Sequence, residues 1–279
     1  MNEAHRRRSL LGVVADHTIL VALSVMFVAP FLFVLLTSFM TSGEAGTHTF
    51  WPTSWHPENF SAVFNKLDMW RLYANSFLYA GLATAFMLVS SVPGAYALSR
   101  IQFRGSRAIF VIIVWAMMLP PQITTVPLYV MWAKLGLTGS LWPLILPNLL
   151  GDAFSVFLLR QFMLTIPKEY TESAKLDGCG QFQTMIRVVV PMAKPGIAAA
   201  AIFLFFAAWN DYYGPLLYTS ENPQAWPISY ALATFRTTKN VTWNLTMAAS
   251  VLAMIPVILI FFAAQKVFVQ GVTLTGVKG

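Results

Sequence analysis

The chain of 279 residues is 57% hydrophobic and only 10% charged, with a mean hydropathy of +0.63. Soluble domains carry about 25% charged residues, so a chain this poor in charge could not cover its own surface in water. Its net charge of +7 comes from cations that lie between apolar blocks and form no long run. That distribution favours a membrane protein with basic cytoplasmic loops over a nucleic-acid-binding protein.

The N-terminus combines a basic stretch with the first long apolar segment. Arg6, Arg7 and Arg8 followed by apolar residues are similar to a secretory signal peptide. Residues 18–43 carry no charge, however, whereas the apolar region of a cleaved signal spans only about 7–15 residues. We therefore predict a membrane helix at about 19–39. Residues 1–17 are then a cytoplasmic segment, and 18–279 form the transmembrane domain.

Five further segments are long enough to cross a membrane. A helix rises 1.5 Å per residue, so about 20 apolar residues span the hydrocarbon core. With a cytoplasmic N-terminus, most of the 18 Lys and Arg residues fall in inside segments, which the positive-inside rule requires. The sequence therefore predicts an all-α integral membrane protein with six transmembrane helices and both termini in the cytoplasm. The further spans are at about 73–99, 108–132, 141–159, 196–218 and 245–264.

Prolines interrupt several of these spans. Pro120 and Pro121 lie near the middle of the third span, and Pro127 follows them. Proline removes a helical hydrogen bond, and in lipid the freed backbone groups need neighbours or a wet cavity as partners. The pair predicts a helix that bends around a pathway. Tolerated kinks without function are the alternative.

Two carboxylates fall inside predicted spans, where ionisable residues are costly. Asp152 comes four residues after Asn148, which would place both on one helix face. Asp211 follows Trp209 and Asn210 toward the outer part of the fifth span. Each carboxylate could bind substrate hydroxyls or stabilise a broken helix, and the sequence leaves both open.

The loop 160–195 is the most informative segment, and it is predicted to contain two short helices. Glu169 and Glu172 lie toward the positive end of the first helix, and Lys175 lies toward its negative end. Gly178 is placed like a C′ glycine, which can adopt the left-handed conformation that closes a helix. A second helix from about residue 181 is predicted to end at Pro191 and Pro195, before the fifth span.

The stretch EYTESAKLDGCGQFQTMIRVVVP resembles the EAA loop of binding-protein-dependent ABC importers. That loop reads Glu-Ala-Ala, then Asp-Gly-Ala, then a spacer and Ile-x-Leu-Pro. The corresponding residues here are Glu172-Ser173-Ala174, Asp177-Gly178-Cys179 and Val188 to Pro191, and the departures are small or conservative. The resemblance extends to AWNDYYGPL at 208–216. The segment 247–279 is similar to the last span and tail of the carbohydrate-importing, maltose-like branch.

The resemblance implies the type I ABC importer permease fold, with residues in three roles. In that family, the loop forms a coupling helix that lies in a cleft of the ATPase. Expected ATPase-coupling residues are Glu169, Glu172, Ala174, Asp177, Gly178 and Pro191. Within the tail 265–279, Gly276, Lys278 and Gly279 are expected to contact the ATPase. The expected substrate pathway includes Asn148, Asp152, Trp209, Asn210 and Asp211.

The expected partners follow from what the chain lacks and from the family. The sequence contains no G-x-x-x-x-G-K-[ST], so ATP and Mg are expected on a separate ATPase, with no cofactor, metal site or catalytic role in this chain. The resemblance implies a second permease, an ATPase dimer and an extracytoplasmic solute-binding protein in a prokaryotic cytoplasmic membrane, with lipid around them and no nucleic acid. The carried solute is expected to be a sugar or a polyol phosphate.

Two other classes remain as alternatives. A secondary transporter would use an ion gradient, but such folds often contain internal repeats, which are not clear here, and need more buried carboxylates. A membrane-embedded enzyme would need a catalytic constellation, which the motifs do not supply.

Overall fold

The computed structural model describes residues 10–47, 49–234 and 242–276, and every regular element in these ranges is helical. The described residues divide into two compact units. The first contains the residues up to Leu67 together with those from 242 to 254. The second contains Asp68–Thr234 and the residues from Ile255 onward.

The first unit begins with a long apolar helix. Its side chains are largely exposed, which suits a helix surrounded by lipid. The predicted first span is confirmed, although the helix already begins at Leu10. The helices of this part are α1 (Leu10–Ser38), α2 (Ser42–Ala45) and α3 (Glu58–Lys66).

A buried amide network holds the first unit together. Asn59 of α3 donates from Nδ2 to the carbonyl oxygens of Ser38 and Met40, both at 2.9 Å. Its Oδ1 accepts from Nδ2 of Asn244 at 3.1 Å. Burial of an amide is costly unless its polar atoms are paired. Asn59 pairs them with the end of α1 and with Asn244, and so connects the two chain segments of this unit.

The second unit begins with α4, which matches the predicted second span. The predicted third span is divided at Leu119 and Pro120, because Pro121 starts a new helix. This confirms the proline-induced bend. The elements of this part are α4 (Met69–Arg100), α5 (Ser106–Met118), α6 (Pro121–Lys134), α7 (Trp142–Ile145), a 3-10 turn (Leu146–Leu150) and α8 (Ala153–Thr165).

The fourth and fifth spans are not the continuous helices that the sequence predicts. Gly151, with φ +93°, breaks the fourth span, and α8 extends to Thr165, so the loop predicted from residue 160 starts later. The fifth span is broken at 210–212. The remaining elements are α9 (Glu169–Leu176), α10 (Gln181–Thr184), a π turn (Met185–Val189), α11 (Val190–Met192), α12 (Lys194–Trp209), α13 (Tyr213–Tyr218), a 3-10 turn (Pro223–Ala225), α14 (Ile228–Thr234) and α15 (Trp243–Gly276).

Within the residues that the structure describes, length and composition give four helical stretches that could cross a membrane, or up to six if each of two bent pairs counts as one span. The predicted six spans correspond to that upper count. One bent pair joins Gln181–Met192 to Lys194–Trp209 at 79°, so it includes a segment that the sequence analysis placed in a loop.

The core of the second unit lies where α4 packs along α8 and α12. The core also includes the π turn, so the loop that follows α8 is anchored to the membrane helices. Its buried members are Met87, Ala95, Tyr96, Leu159, Phe162, Met163, Ile166, Met185, Val189, Ala193 and Ala200.

Candidate functional site

Helix α9 ends in a well-defined turn. Gly178 has φ +80°, and its N–H donates to the Lys175 carbonyl at 3.0 Å. The N–H of Cys179 donates to the Ala174 carbonyl at 2.9 Å. These two bonds form a Schellman motif, with Asp177 as the C-cap. The predicted C′ role of Gly178 is therefore confirmed.

The two faces of α9 differ in burial. Thr171 and Ala174 are buried, so they hold the helix against the unit. Leu176 is 90% exposed at the end of the helix, next to charged residues. Exposed apolar surface bordered by polar groups is typical of an interaction site. The exposed acidic residues of this segment are Glu169, Glu172 and Asp177.

The segment after α9 contains a local widening of the helix. The N–H of Val190 donates to the carbonyl of Met185, five residues earlier, which is the π pattern. Pro191 lies inside α11, which ends at Met192, and Pro195 lies in the first turn of α12, so the helix ends between the two prolines, before the fifth span, as predicted. A proline has no N–H to donate and its ring clashes with the carbonyl four residues earlier, and the wider turn accommodates it.

A polar cavity of about 610 Å³ lies between α9 and the end of α4. The Tyr96 hydroxyl donates to Oε1 of Gln181 at 3.0 Å at its edge. The cavity allows water next to α9, and both charge signs line it. The charged lining residues are Arg100, Lys168, Glu172 and Lys175.

Asp152 lies at the break before α8, where it acts as the helix N-cap. Its Oδ2 accepts from the N–H of Ser155 at 2.7 Å. Its own N–H donates to Oγ of Ser91 on α4 at 3.2 Å. Because Gly151 breaks the helix, the prediction that Asn148 and Asp152 share one helix face is wrong.

Asn148 is bonded within the 3-10 segment. Its Nδ2 donates to the carbonyls of Leu144 at 3.0 Å and Ile145 at 3.2 Å. Its own carbonyl accepts from Oγ of Ser90 on α4 at 2.8 Å. The amide therefore supports the irregular backbone before Gly151.

Asp211 organises the second break, between α12 and α13. Its Oδ1 accepts from the N–H of Gly214 at 3.0 Å, and its Oδ2 accepts from the Tyr79 hydroxyl at 2.9 Å. Its carbonyl accepts from Oγ of Ser229 at 2.6 Å. Of the two roles that the sequence left open for Asp152 and Asp211, the geometry supplies the stabilisation of broken helices. Direct substrate contact stays a prediction.

The neighbours of Asp211 have different environments. Trp209 is buried, with its ring 4.9 Å from that of Phe77 and 5.8 Å from that of Phe205. Asn210 is exposed and donates from Nδ2 to the Phe206 carbonyl at 2.8 Å. Trp209 thus anchors the end of α12, while Asn210 lies at an accessible position beside the break.

The predicted ATPase contacts of the C-terminal tail lie at or beyond the end of the described residues. Gly276 is the last residue of α15, and Lys278 and Gly279 lie outside the described residues. Their expected contact with an ATPase stays a prediction.

The polar residues of α4 were not among the predicted site residues. Tyr79, Ser90 and Ser91 bond to the two helix breaks, and Arg100 bonds to the end of α8. The sequence does indicate that α4 packs against other helices, because small residues such as Ala80 and Ala83 recur along it at helical spacing. Stripes of small residues mark helix contacts in membranes.

Comparison with known proteins gives matches over most of the chain. Residues 90–274 match the family described as binding-protein-dependent transport system inner membrane component. The probable ABC transporter permease YurM of Bacillus subtilis is 31% identical, over 98% of this chain and 91% of that protein. The diacetylchitobiose uptake system permease DasC of Streptomyces coelicolor is also 31% identical, over 98% of this chain and 100% of that protein.

A solved structure has the same fold. It is a chain of a bacterial ABC transporter involved in the import of the acidic polysaccharide alginate. The TM-score is 0.81 and the sequence identity is 23%, over 95% of this chain and 99% of that chain.

Proposed function

We infer the function of this chain from its family: it belongs to the binding-protein-dependent transport system inner membrane components, and it is a multi-pass permease subunit of an ABC importer. We propose that it carries a sugar or a related solute across a prokaryotic cytoplasmic membrane. The name of the relative DasC, a diacetylchitobiose uptake permease, supports this solute class. Its partners are a second permease, a separate ATPase dimer and an extracytoplasmic solute-binding protein.

The observation that carries the proposal is the exposed end of α9. Leu176 is 90% exposed, and Glu172 and Asp177 are exposed beside it, on a helix whose opposite face is buried. This arrangement suits a helix that inserts into a cleft of another protein. The ATPase holds ATP and Mg, and this chain supplies the docking helix.

The packing of the loop supports a mechanical role for α9. Met185 and Val189 are buried in the same core as Leu159 and Met163 of α8. Packed cores move as rigid bodies and do not deform continuously. Closure of the two ATPases displaces α9, and the displacement reaches the membrane helices and opens the pathway alternately to each side.

The two helix breaks support the position of the pathway. Irregular backbone at membrane depth is tolerated where it is buried in protein or lines a wet cavity. Asn210 and Asp211 lie at one break, and Asn148 and Asp152 lie at the other. Their polar groups supply hydrogen-bond donors and acceptors suited to sugar hydroxyls.

The test is affinity purification of the tagged chain from its native membrane in mild detergent, followed by mass spectrometry. We expect a second permease and an ATPase to co-purify with the wild-type chain. Leu176→Asp should lose the ATPase and keep the second permease, because it places a charge in the docking cleft. Leu176→Met is the matched control, since it keeps an apolar side chain of similar volume.

Two results would contradict the proposal. One is the recovery of the wild-type chain alone, or as a homo-oligomer, with no nucleotide-binding protein. The other is full retention of the ATPase by Leu176→Asp, which would place the docking surface elsewhere.

A further inference from the structure

Two arginines join the ends of α4 and α8 through hydrogen bonds that run in opposite directions. Arg100, the last residue of α4, donates from one guanidinium nitrogen to the carbonyls of Met163 and, at 2.5 Å, Ile166. Arg160 of α8 donates from Nε to the Leu98 carbonyl of α4 at 3.1 Å. Each arginine therefore bonds to the end of the other's helix.

The chemistry of these bonds explains why arginine occupies both positions. The last carbonyls of a helix lack intrahelical donors and form the negative end of its dipole. A guanidinium is always charged and presents several donors in a fixed plane, so one side chain can bind more than one carbonyl. Arg160 also places its guanidinium carbon 3.9 Å from the centre of the Phe110 ring of α5, a cation–π contact that fixes its orientation.

This pair of bonds lies directly before α9. Ile166, which accepts from Arg100, is buried and precedes the first turn of α9. Met163 and Ile166 belong to the same core as Met185 and Val189, which follow α9 in the chain. A displacement of α9 therefore reaches the position where Arg100 holds α8.

Helix α4 continues from this point to both helix breaks. Ser91 of α4 accepts from the N–H of Asp152 at one break. Tyr79 of α4 donates to Asp211 at the other. One helix thus connects the two arginines to both candidate pathway segments.

We propose that Arg100 and Arg160 are positioning residues that fasten α4 to α8, so that displacement of α9 moves both helices and both breaks together. The proposal rests on the proposed function, because α9 is displaced only if an ATPase docks there. Without the arginines, the ATPase can still bind and hydrolyse ATP, but a displacement of α8 moves α4 by a smaller distance.

The test measures the number of ATP molecules hydrolysed per solute imported by the complete complex in proteoliposomes. The solute is the one retained by the co-purified binding protein. In Arg100→Gln and Arg160→Gln this ratio should rise several-fold or more, because the first variant loses two charge-assisted bonds and the second loses one. Arg100→Lys should give an intermediate ratio, because it keeps the charge but loses the planar fork. The exposed Arg104→Gln is the matched control and should match the wild type.

The outcomes separate this inference from the proposed function. A wild-type complex without an ATPase, or one whose uptake ignores ATP, would overturn the proposed function before any variant is made. A wild-type complex that couples normally, with an unchanged ratio in both glutamine variants, would overturn the inference alone. The inference would also be overturned if the rates of ATP hydrolysis and of transport fell by the same factor, because the ratio would then be unchanged. If Arg100→Gln does not assemble, Arg160→Gln decides by the same criteria, since it leaves the bonds of Arg100 in place.

Discussion

At the scale of single residues, Gly178 determines the shape of the end of α9. Its φ of +80° is in the left-handed region, where residues other than Gly and Asn are strained. A Cβ added there would meet nothing within 4 Å, so a substitution would be strained in its backbone without a clash.

The prediction for this residue compares two substitutions. Gly178→Ala should weaken ATPase binding roughly 5- to 30-fold, because a left-handed alanine costs about 1–2 kcal/mol. Gly178→Asn should lose less affinity for the ATPase, since asparagine adopts the left-handed conformation more readily than alanine does. The measurement is the Kd of the purified ATPase for the detergent-solubilised permease. Equal affinities for the wild type and both variants would show that the turn has no part in docking.

Glu44 gives a second prediction, on pH. Its carboxylate accepts hydrogen bonds from the Thr53 hydroxyl and from the N–H of Thr41. These bonds, that of Thr53 first, lower the pKa of Glu44 from 4.5 to about 2. Because the folded-state pKa is lowered, the charged form stabilises the segment fully above pH 4.5, and this contribution is lost as the pH falls toward 2.

We therefore expect the amides of Thr41 and Thr53 to keep their hydrogen-exchange protection, corrected for intrinsic rates, down to about pH 3. Glu44→Gln is the control, and its protection should be lower and independent of pH over this range. A midpoint near pH 4.5 in the wild type would show that the bonds do not favour the charged form.

At the scale of elements, hydropathy predicts the helices without internal breaks, and Pro120 and Pro121 predict the bend of the third span, whereas the breaks at Gly151 and at 210–212 were not predicted. Helices α1, α4 and α15 contain the predicted spans at 19–39, 73–99 and 245–264 apart from the final residue of the first. Hydropathy averages over about 20 residues, so it does not detect Gly151 or the cap that follows it. The N-cap signal of Asp152 before an apolar run was present in the sequence.

In the candidate site, contacts between residues close in sequence could be predicted, whereas contacts between distant residues could not. The Schellman turn at Gly178 depends on neighbouring residues, so the sequence predicts it. The bonds of Arg100 to Ile166 and of Tyr79 to Asp211 join residues far apart in the chain, and a single sequence contains no signal for such pairs. The sequence indicated Arg100 and Arg160 only as inside charges.

The cap at Asp152 leads to a prediction about α8. Asp152→Ala should lower the free energy of unfolding by about 0.5–2 kcal/mol, because the N–H of Ser155 loses its acceptor. Asp152→Asn should stay close to the wild type, since its amide oxygen can accept the same bond. Thermal unfolding in detergent gives the comparison. If Asp152→Asn kept its stability but lost affinity for the transported solute, a direct substrate contact would be indicated as well.

At the scale of the whole molecule, the second unit connects the docking helix to the candidate pathway through α4. The ends of α4 and α8 are held by Arg100 and Arg160, and α4 bonds to both helix breaks. A movement at α9 can therefore change both breaks at once, which alternating access requires. The central claim is that this chain is moved by ATP hydrolysis on a partner.

The most direct test is uptake by proteoliposomes that contain the complete complex with ATP trapped inside. The binding protein outside is loaded with its radiolabelled solute. We predict uptake that requires ATP and the binding protein, and that is lost in Leu176→Asp but kept in Leu176→Met. Uptake that proceeds without ATP and follows an imposed ion gradient would contradict the account and indicate a secondary transporter.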